Sequence, residues 1–239
     1  MKLIILILVL FLFSCKHFYK NEQIVSRIKV SFKMPIQIKE GISYGDTINI
    51  YACYFKNYTI FELPHHETLQ NEKALLYDSV KYDYLIYNNS SKNGFLLKNI
   101  NDGFINEINV DSILKIQAFY GGNGNVINIL DKETKSVKMV SSFNGKEVYR
   151  YITNNVDIYD SMYVICDKKM IDIKFSFSSR IDSLYNSKFN EFIMFLKYDT
   201  LSNKNKKDFF TNRLEVVKDY NFDREKIRNL FLRFINYEN

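Results

Sequence analysis

Apolar residues at every second position recur along most of this chain, and that spacing limits what it can become. Ile28, Val30, Phe32 and Met34 alternate with Arg27, Lys29, Ser31 and Lys33, a period of two that puts one set on each face of an extended strand. An amphipathic helix needs its apolar residues three and four apart. The stretch is therefore a strand with one dry and one wet face, as in an antiparallel sheet covered on one side. Pro35 interrupts the run, and Ile36 and Ile38 resume it up to the turn at Glu40-Gly41. Asp46 to Lys56 reads as a second strand, with Ile48, Ile50, Ala52 and Tyr54 on one face. Tyr51, Cys53 and Phe55 are apolar on the other, which predicts a central strand buried on both sides.

Tyr58 to Leu63 extends the pattern before Pro64, and residues 64 to 73 form the least regular polar stretch of the first half. Lys81 to Tyr87 and Phe95 to Asn99 flank a polar loop at 88–94, and Asn101-Asp102-Gly103 is a further turn. A short helix is predicted from Val110 to about Phe119, capped by Asp111 or Ser112. Gly121-Gly122-Asn123-Gly124-Asn125 is the one glycine-rich stretch. A clear meander follows it: Val126 to Leu130, Val137 to Phe143 and Val148 to Ile152, with Asn144-Gly145 as the strongest hairpin signal in the chain. Met162 to Cys166 and Ile171 to Phe177 suggest another hairpin, and Ser178 or Ser179 can cap a helix through Leu184. Phe192 to Tyr198 and Arg213 to Asp219 are strands on either side of the basic loop Asn203 to Lys207. The last segment is helical, capped by Asp223, with Ile227, Leu230, Phe231 and Phe234 on one stripe. That stripe is expected to cover an apolar face of the sheet; exposed, it would suit a membrane surface instead.

The N-terminus has a separate logic. Lys2 is followed by eleven apolar residues, Leu3 to Phe13, then Ser14 and Cys15. Crossing a bilayer takes about 20 apolar residues, so this is a secretory signal and not a span. With Leu12 three before the cysteine and the small Ser14 just before it, Leu12-Phe13-Ser14-Cys15 resembles the lipobox of bacterial lipoproteins. Phe13 stands where that family usually has a small residue. The resemblance implies that Cys15 becomes the mature N-terminus, with a diacylglyceride on its sulfur and an acyl chain on its nitrogen. Several chains anchor stably where one does not. An ordinary cleaved signal, with Cys15 incidental, is the alternative. Lys16 occupies the position where an Asp would favour inner-membrane retention in that family, so the resemblance points to the outer membrane, facing the periplasm.

The 225 residues from Cys15 onward are enough for one large domain. At 46% hydrophobic and 25% charged, the composition is that of a globular chain. Lys and Arg exceed Asp and Glu by 33 to 27, but the two signs are interspersed, which describes a solvated surface and no nucleic-acid-binding face. The 20 Phe and 18 Tyr sit in a chain rich in Lys, Asn and Ile. Codons poor in G and C produce the same bias, so they carry no functional weight.

Chemistry-bearing residues are few. His65, His66 and Glu67 are the only clustered ligands, in what reads as a loop, and His66-Glu67-Thr68-Leu69-Gln70 falls one residue short of the zinc motif H-E-x-x-H. Gln70 replaces the second histidine, and a real site needs three or four converging ligands. No G-x-S-x-G, G-x-x-x-x-G-K-[ST] or G-x-G-x-x-G occurs. The glycosylation triplets at Asn57 and Asn88 are chance matches in a lipoprotein. Cys53 and Cys166 either bridge in an oxidising compartment or stay buried as small hydrophobes.

The expectation is an α+β chain, predominantly antiparallel sheet with a few short helices and a C-terminal amphipathic helix. It comprises a signal peptide at 1–14, a tether at 15–22, and one domain at 23–239, with two lobes meeting near 121–125 as the alternative. Functionally it is expected to be a non-catalytic envelope lipoprotein, held to the membrane through Cys15 and binding or scaffolding another cell-envelope component, with an envelope protein as the candidate partner. No cofactor is implied and no small-molecule ligand is specified. A periplasmic hydrolase, metal-assisted through His65, His66 and Glu67, is the competing reading.

Overall fold

The computed structural model describes residues 24–33, 35–38, 41–44, 47–71, 74–116, 134–153, 159–173, 179–199 and 207–239. These form β1 (Ser26–Lys33), β2 (Pro35–Ile38), β3 (Gly41–Tyr44), β4 (Ile48–Phe55), β5 (Tyr58–Asn71), β6 (Ala74–Asn88), β7 (Asn93–Leu97), β8 (Glu107–Asn109) and helix α1 (Val110–Ile116). After them come β9 (Thr134–Phe143), β10 (Lys146–Thr153), β11 (Tyr159–Asp167), a 3-10 turn (Lys168–Met170), α2 (Ser179–Tyr185), β12 (Lys188–Asp199), β13 (Lys207–Asp219) and α3 (Arg224–Glu238). Cys15, and with it the predicted lipidation, lies outside the described residues, as do the glycine-rich stretch and the strand expected at Val126 to Leu130.

Eleven strands make one sheet in the order β8-β7-β6-β5-β4-β1-β13-β12-β11-β10-β9, and β2 and β3 pair separately. Every pairing is antiparallel, and β1 lies between β4 and β13. The strands from β4 to β8 thus spread to one side of β1 and those from β13 back to β9 to the other. The chain is mostly antiparallel sheet with few helices, as its alternation predicts.

The two faces follow from the register. Ile28 lies opposite Ala52, which lies opposite Phe61, which lies opposite Leu85. These residues share a face with Phe192, Val164 and Leu214, and α1 and α2 add Val110, Leu114 and Ile181 to the same core. The other face carries Arg27, and beside it Cys53, Phe55, Ile60 and Ile86 pack under α3. As expected, β4 is buried on both sides: Ile50, Ala52 and Tyr54 feed one core, Cys53 and Phe55 the other. Helix α3 starts where predicted, with Asp223 accepting from the Lys226 N–H. Its stripe of Ile227, Leu230, Phe231 and Phe234 is buried, and at about 1.5–3 kcal/mol for each large side chain that burial holds the helix on the sheet.

Several elements depart from the sequence expectation. The polar stretch after Leu63 is not a loop: β5 runs through Pro64, His65 and His66 to Asn71, paired with β6 throughout. Its pairing with β4 ends at Glu62, so beyond that point β5 has a ladder on one side only, the setting in which a strand tolerates proline. Ile171 to Phe177 was expected to pair with the strand ending at Cys166. Instead β11 pairs with β10 and β12, and Asp167 closes a 3-10 turn by accepting from the Lys169 N–H at 2.8 Å. Met170 is buried in that turn, and residues 174–178 lie outside the described set. Helix α1 is capped earlier than predicted, by Asn109, whose side chain accepts from the Ser112 N–H. The Asn144-Gly145 turn forms as expected, with both residues at positive φ, 52° and 85°, as a type I′ hairpin requires.

Candidate functional site

A largely buried ionisable cluster lies at the middle of the sheet, on the Arg27 face. Antiparallel register puts Arg27 opposite both Cys53 and Asp219, and Glu62 opposite both Tyr51 and Tyr84. Side chains from β1, β4, β5, β6 and β13 thereby converge without any loop. Arg27 donates to Glu62 Oε2 at 2.8 Å and stands 3.2 Å from Asp219 Oδ2. Its guanidinium lies 3.8 Å from the centre of the Tyr51 ring and 5.2 Å from that of Phe222, just before α3. The Cys53 thiol donates to Glu62 Oε1 at 3.6 Å.

Burial sets the electrostatics here. It raises the Glu62 carboxyl above its ordinary pKa, against the pull of Arg27. It drives the Cys53 thiol well up, helped by the Glu62 charge, and pushes the Tyr82 phenol to about 12, with Tyr51 adding to the effect. A reactive thiolate or a poised general base needs its pKa moved toward neutrality. Cys53 moves away from it, and Glu62, which burial moves toward it, has its two oxygens taken by Arg27 and the Cys53 thiol. Arg27 is occupied by two carboxylates and stacked on a ring, so the arrangement acts as a crosslink, joining the first strand to the last one and to the start of α3. A second group on the same face, Glu191 of β12 with Arg213 and Glu215 of β13, links those two strands.

His65 sits on β5 opposite Lys81. Its Nδ1 is 3.3 Å from Asp83 Oδ1, an approach that falls short of hydrogen-bond alignment, and Asp83 Oδ2 accepts from Lys98 Nζ at 2.7 Å. His66 and Glu67 follow on β5, in register with Val80 and Ser79; their side chains lie outside the described residues. Among the described residues no group of three His, Cys, Asp or Glu is placed to hold a metal ion. Cys53 and Cys166 are free and buried, one in each core. Burial pushes the Cys166 thiol up to about 12.

No protein-family model and no curated protein matches the chain.

Among the described residues the end of the sheet at β9 and β10 carries several exposed apolar side chains. Met139 is opposite Tyr149 and Val137 opposite Tyr151, continuing the Ile28 face outward. Tyr185 of α2 covers this row at its inner end: its ring stacks on Tyr149 at 3.7 Å, and its hydroxyl is 2.9 Å from that of Tyr151. Beyond that cover Val137 and Met139 are 42% and 54% exposed, and Val140 is 47% exposed. The alternation in the sequence located this strand without signalling that its apolar residues stay uncovered. Arg27, Glu62 and Asp219 were equally silent, because each reads as an ordinary wet-face residue until the strands are paired.

Proposed function

We propose that this chain is a non-catalytic lipoprotein of the bacterial cell envelope, anchored through acylated Cys15 on the outer membrane facing the periplasm, that binds or scaffolds another envelope protein. The anchor is motivated by the lipobox resemblance at Leu12-Phe13-Ser14-Cys15. The observation that carries the binding role is the uncovered row of Val137 and Met139 beside Tyr149. A contiguous apolar surface left open beside a well-covered core suits a protein partner.

The mode of binding follows from the backbone. Among the described residues β9 ends the sheet, but its ladder to β10 is broken by register shifts at two places, and Lys135 and Lys138 punctuate it. Bulges and lysines are the devices that discourage a further strand from pairing with an edge. The partner is therefore expected to lie on the side chains of the Ile28 face and not to extend the sheet.

A photoreactive phenylalanine analogue at Met139, introduced in the producing organism, should give a discrete crosslinked species in the envelope fraction that the same analogue at Ile48, on the far end of β4, does not give. Identical patterns from the two positions would remove the support for a docking surface at β9.

A further inference from the structure

We propose that the rim of the sheet at which β1 begins rests on the bilayer, its lysines contacting anionic lipid headgroups and its protruding apolar side chains entering the interface. This rests on the lipid-anchored reading above and adds to it an orientation and a second, non-covalent membrane contact.

Antiparallel order decides which residues share that rim. Where β1 begins, β4, β6, β11, β9 and β13 end and β5, β10 and β12 begin. The turns at 56–57, 89–92, 144–145, 168–170 and 220–223 therefore lie on one side of the molecule. Four large apolar side chains stand out from it: Ile24 at 48% exposure, Phe143 at 79%, Ile171 at 56% and Tyr220 at 76%. Phe143, at a hairpin tip, and Tyr220, after the last strand, are among the most exposed apolar residues described, where the packing of the fold gives no reason for them.

Strand register and side-chain hydrogen bonds tie these points into one surface. Phe143 is in register with Lys146; Lys169 Nζ donates to Asn144 at 2.7 Å; Lys218 Nζ reaches the Lys169 carbonyl and Asp172. Tyr220 follows β13 directly, and Asp219 pairs with Arg27 of β1, three residues from Ile24. The span from β9 to β1 is five strand spacings, about 24 Å. Along it Lys146, Lys168 and Lys169 are exposed, and Lys56 continues the basic series beyond β1. The acidic side chains of the same rim are engaged within it: Glu147 by Lys168, Asp172 by Lys218, Asp182 by Lys188 and Asp219 by Arg27, while Asp167 and Asp223 accept from the backbone N–H groups of Lys169 and Lys226; Lys146, Lys168 and Lys169 stand exposed among them. Isolated apolar side chains alternating with lysines match the bilayer interface, where the first enter the acyl boundary and the second meet the headgroups.

Tether length supplies the independent constraint. Nine residue steps separate Cys15 from Ile24, and whatever their conformation they span at most about 30 Å. Ile24 belongs to this rim, so the chain leaves for its anchor from this side of the sheet.

The test uses the natively processed protein bound to phosphatidylcholine vesicles containing phosphatidylglycerol, with an environment-sensitive fluorophore on single introduced cysteines. Cys53 and Cys166 are buried and should not compete. Labels at Phe143→Cys, Ile171→Cys and Tyr220→Cys should shift to the blue and be quenched by a nitroxide on the lipid chains. A label at Ile152→Cys, about 20 Å up the hairpin from the rim, should not. If the rim labels behave like the one at 152 while the protein floats with the vesicles, the orientation is wrong although the anchor stands. A protein that fails to float sinks the anchored reading, and the rim is then judged on the Cys15→Ser chain. That chain should bind the same vesicles, and Lys168→Gln with Lys169→Gln should weaken binding roughly 25-fold. Equal binding with and without the two lysines overturns the proposal.

Discussion

Replacing Arg27 by Met keeps an unbranched stem against the Tyr51 ring and removes the charge between two carboxylates. Glu62 and Asp219 are then left with side chains only 9% and 15% exposed and no cation between them. Breaking a buried ion pair by deleting one partner costs about 3–5 kcal/mol. Partial access of water to Asp219 and protonation of Glu62 place the expected loss at the lower end, near 3 kcal/mol, a large part of the ~5–15 kcal/mol that holds a typical domain folded. With a urea slope of about 3 kcal/mol per molar, the unfolding midpoint should fall by roughly 1 M. The pH dependence has a definite sign. Burial raises Glu62 above 4.5 in the folded chain while Arg27 pulls it down, so the variant raises it further. A carboxyl raised on folding stabilises below its unfolded pKa, and that contribution is lost as pH rises through its folded pKa. The deficit of Arg27→Met against the parent should therefore be largest near neutrality and shrink as pH falls toward 4.5. Changing Glu62→Gln and Asp219→Asn in the same chain should restore most of the loss, since a neutral cluster has no charge to strand. A midpoint shift under roughly 0.3 M at neutral pH, or a deficit that grows on acidification, would refute the account of this cluster as the crosslink between first and last strands.

Two further outcomes follow from the packing. Phe231→Ala, at a fully buried position 5.6 Å in ring centres from Phe55, should cost about 3–5 kcal/mol, whereas Leu232→Ala, on the exposed side of α3, should stay within about 0.5–1 kcal/mol; equal melting shifts would mean that α3 is not seated on the sheet through its predicted stripe. Because Cys53 and Cys166 are buried and their thiols raised, neither should react with a thiol reagent in the native protein, and both should titrate in denaturant. With three cysteines in the chain, a third titrating thiol in the natively processed protein would show that Cys15 carries no acyl group.

The alternation of Ile28 to Met34, the two apolar faces of β4, the Asn144-Gly145 hairpin and the Asp223-capped stripe of α3 were all legible in the chain, because each is decided by residues within a few positions of one another. Strand ends were less legible. Pro64 reads as a stop, yet β5 continues because β6 alone pairs with it there, and the strand ending at Cys166 pairs with β10 and β12, with a 3-10 turn after it that buries Met170. The candidate site was not legible at all. Arg27, Glu62 and Asp219 are a wet-face residue, a residue near a strand end and the last residue of another strand, and no spacing connects them.

By itself the sequence determined that the chain would be antiparallel sheet, with a short apolar N-terminus ending at a cysteine and an amphipathic helix at its close. Only the tertiary structure decided that β1 pairs with β13, that Arg27 is spent between two carboxylates, and that Val137, Met139, Phe143 and Tyr220 stay uncovered. The reason is physical: side-chain period and turn chemistry act over a few residues, whereas strand order, charge neutralisation and exposure depend on which distant segments come to lie side by side.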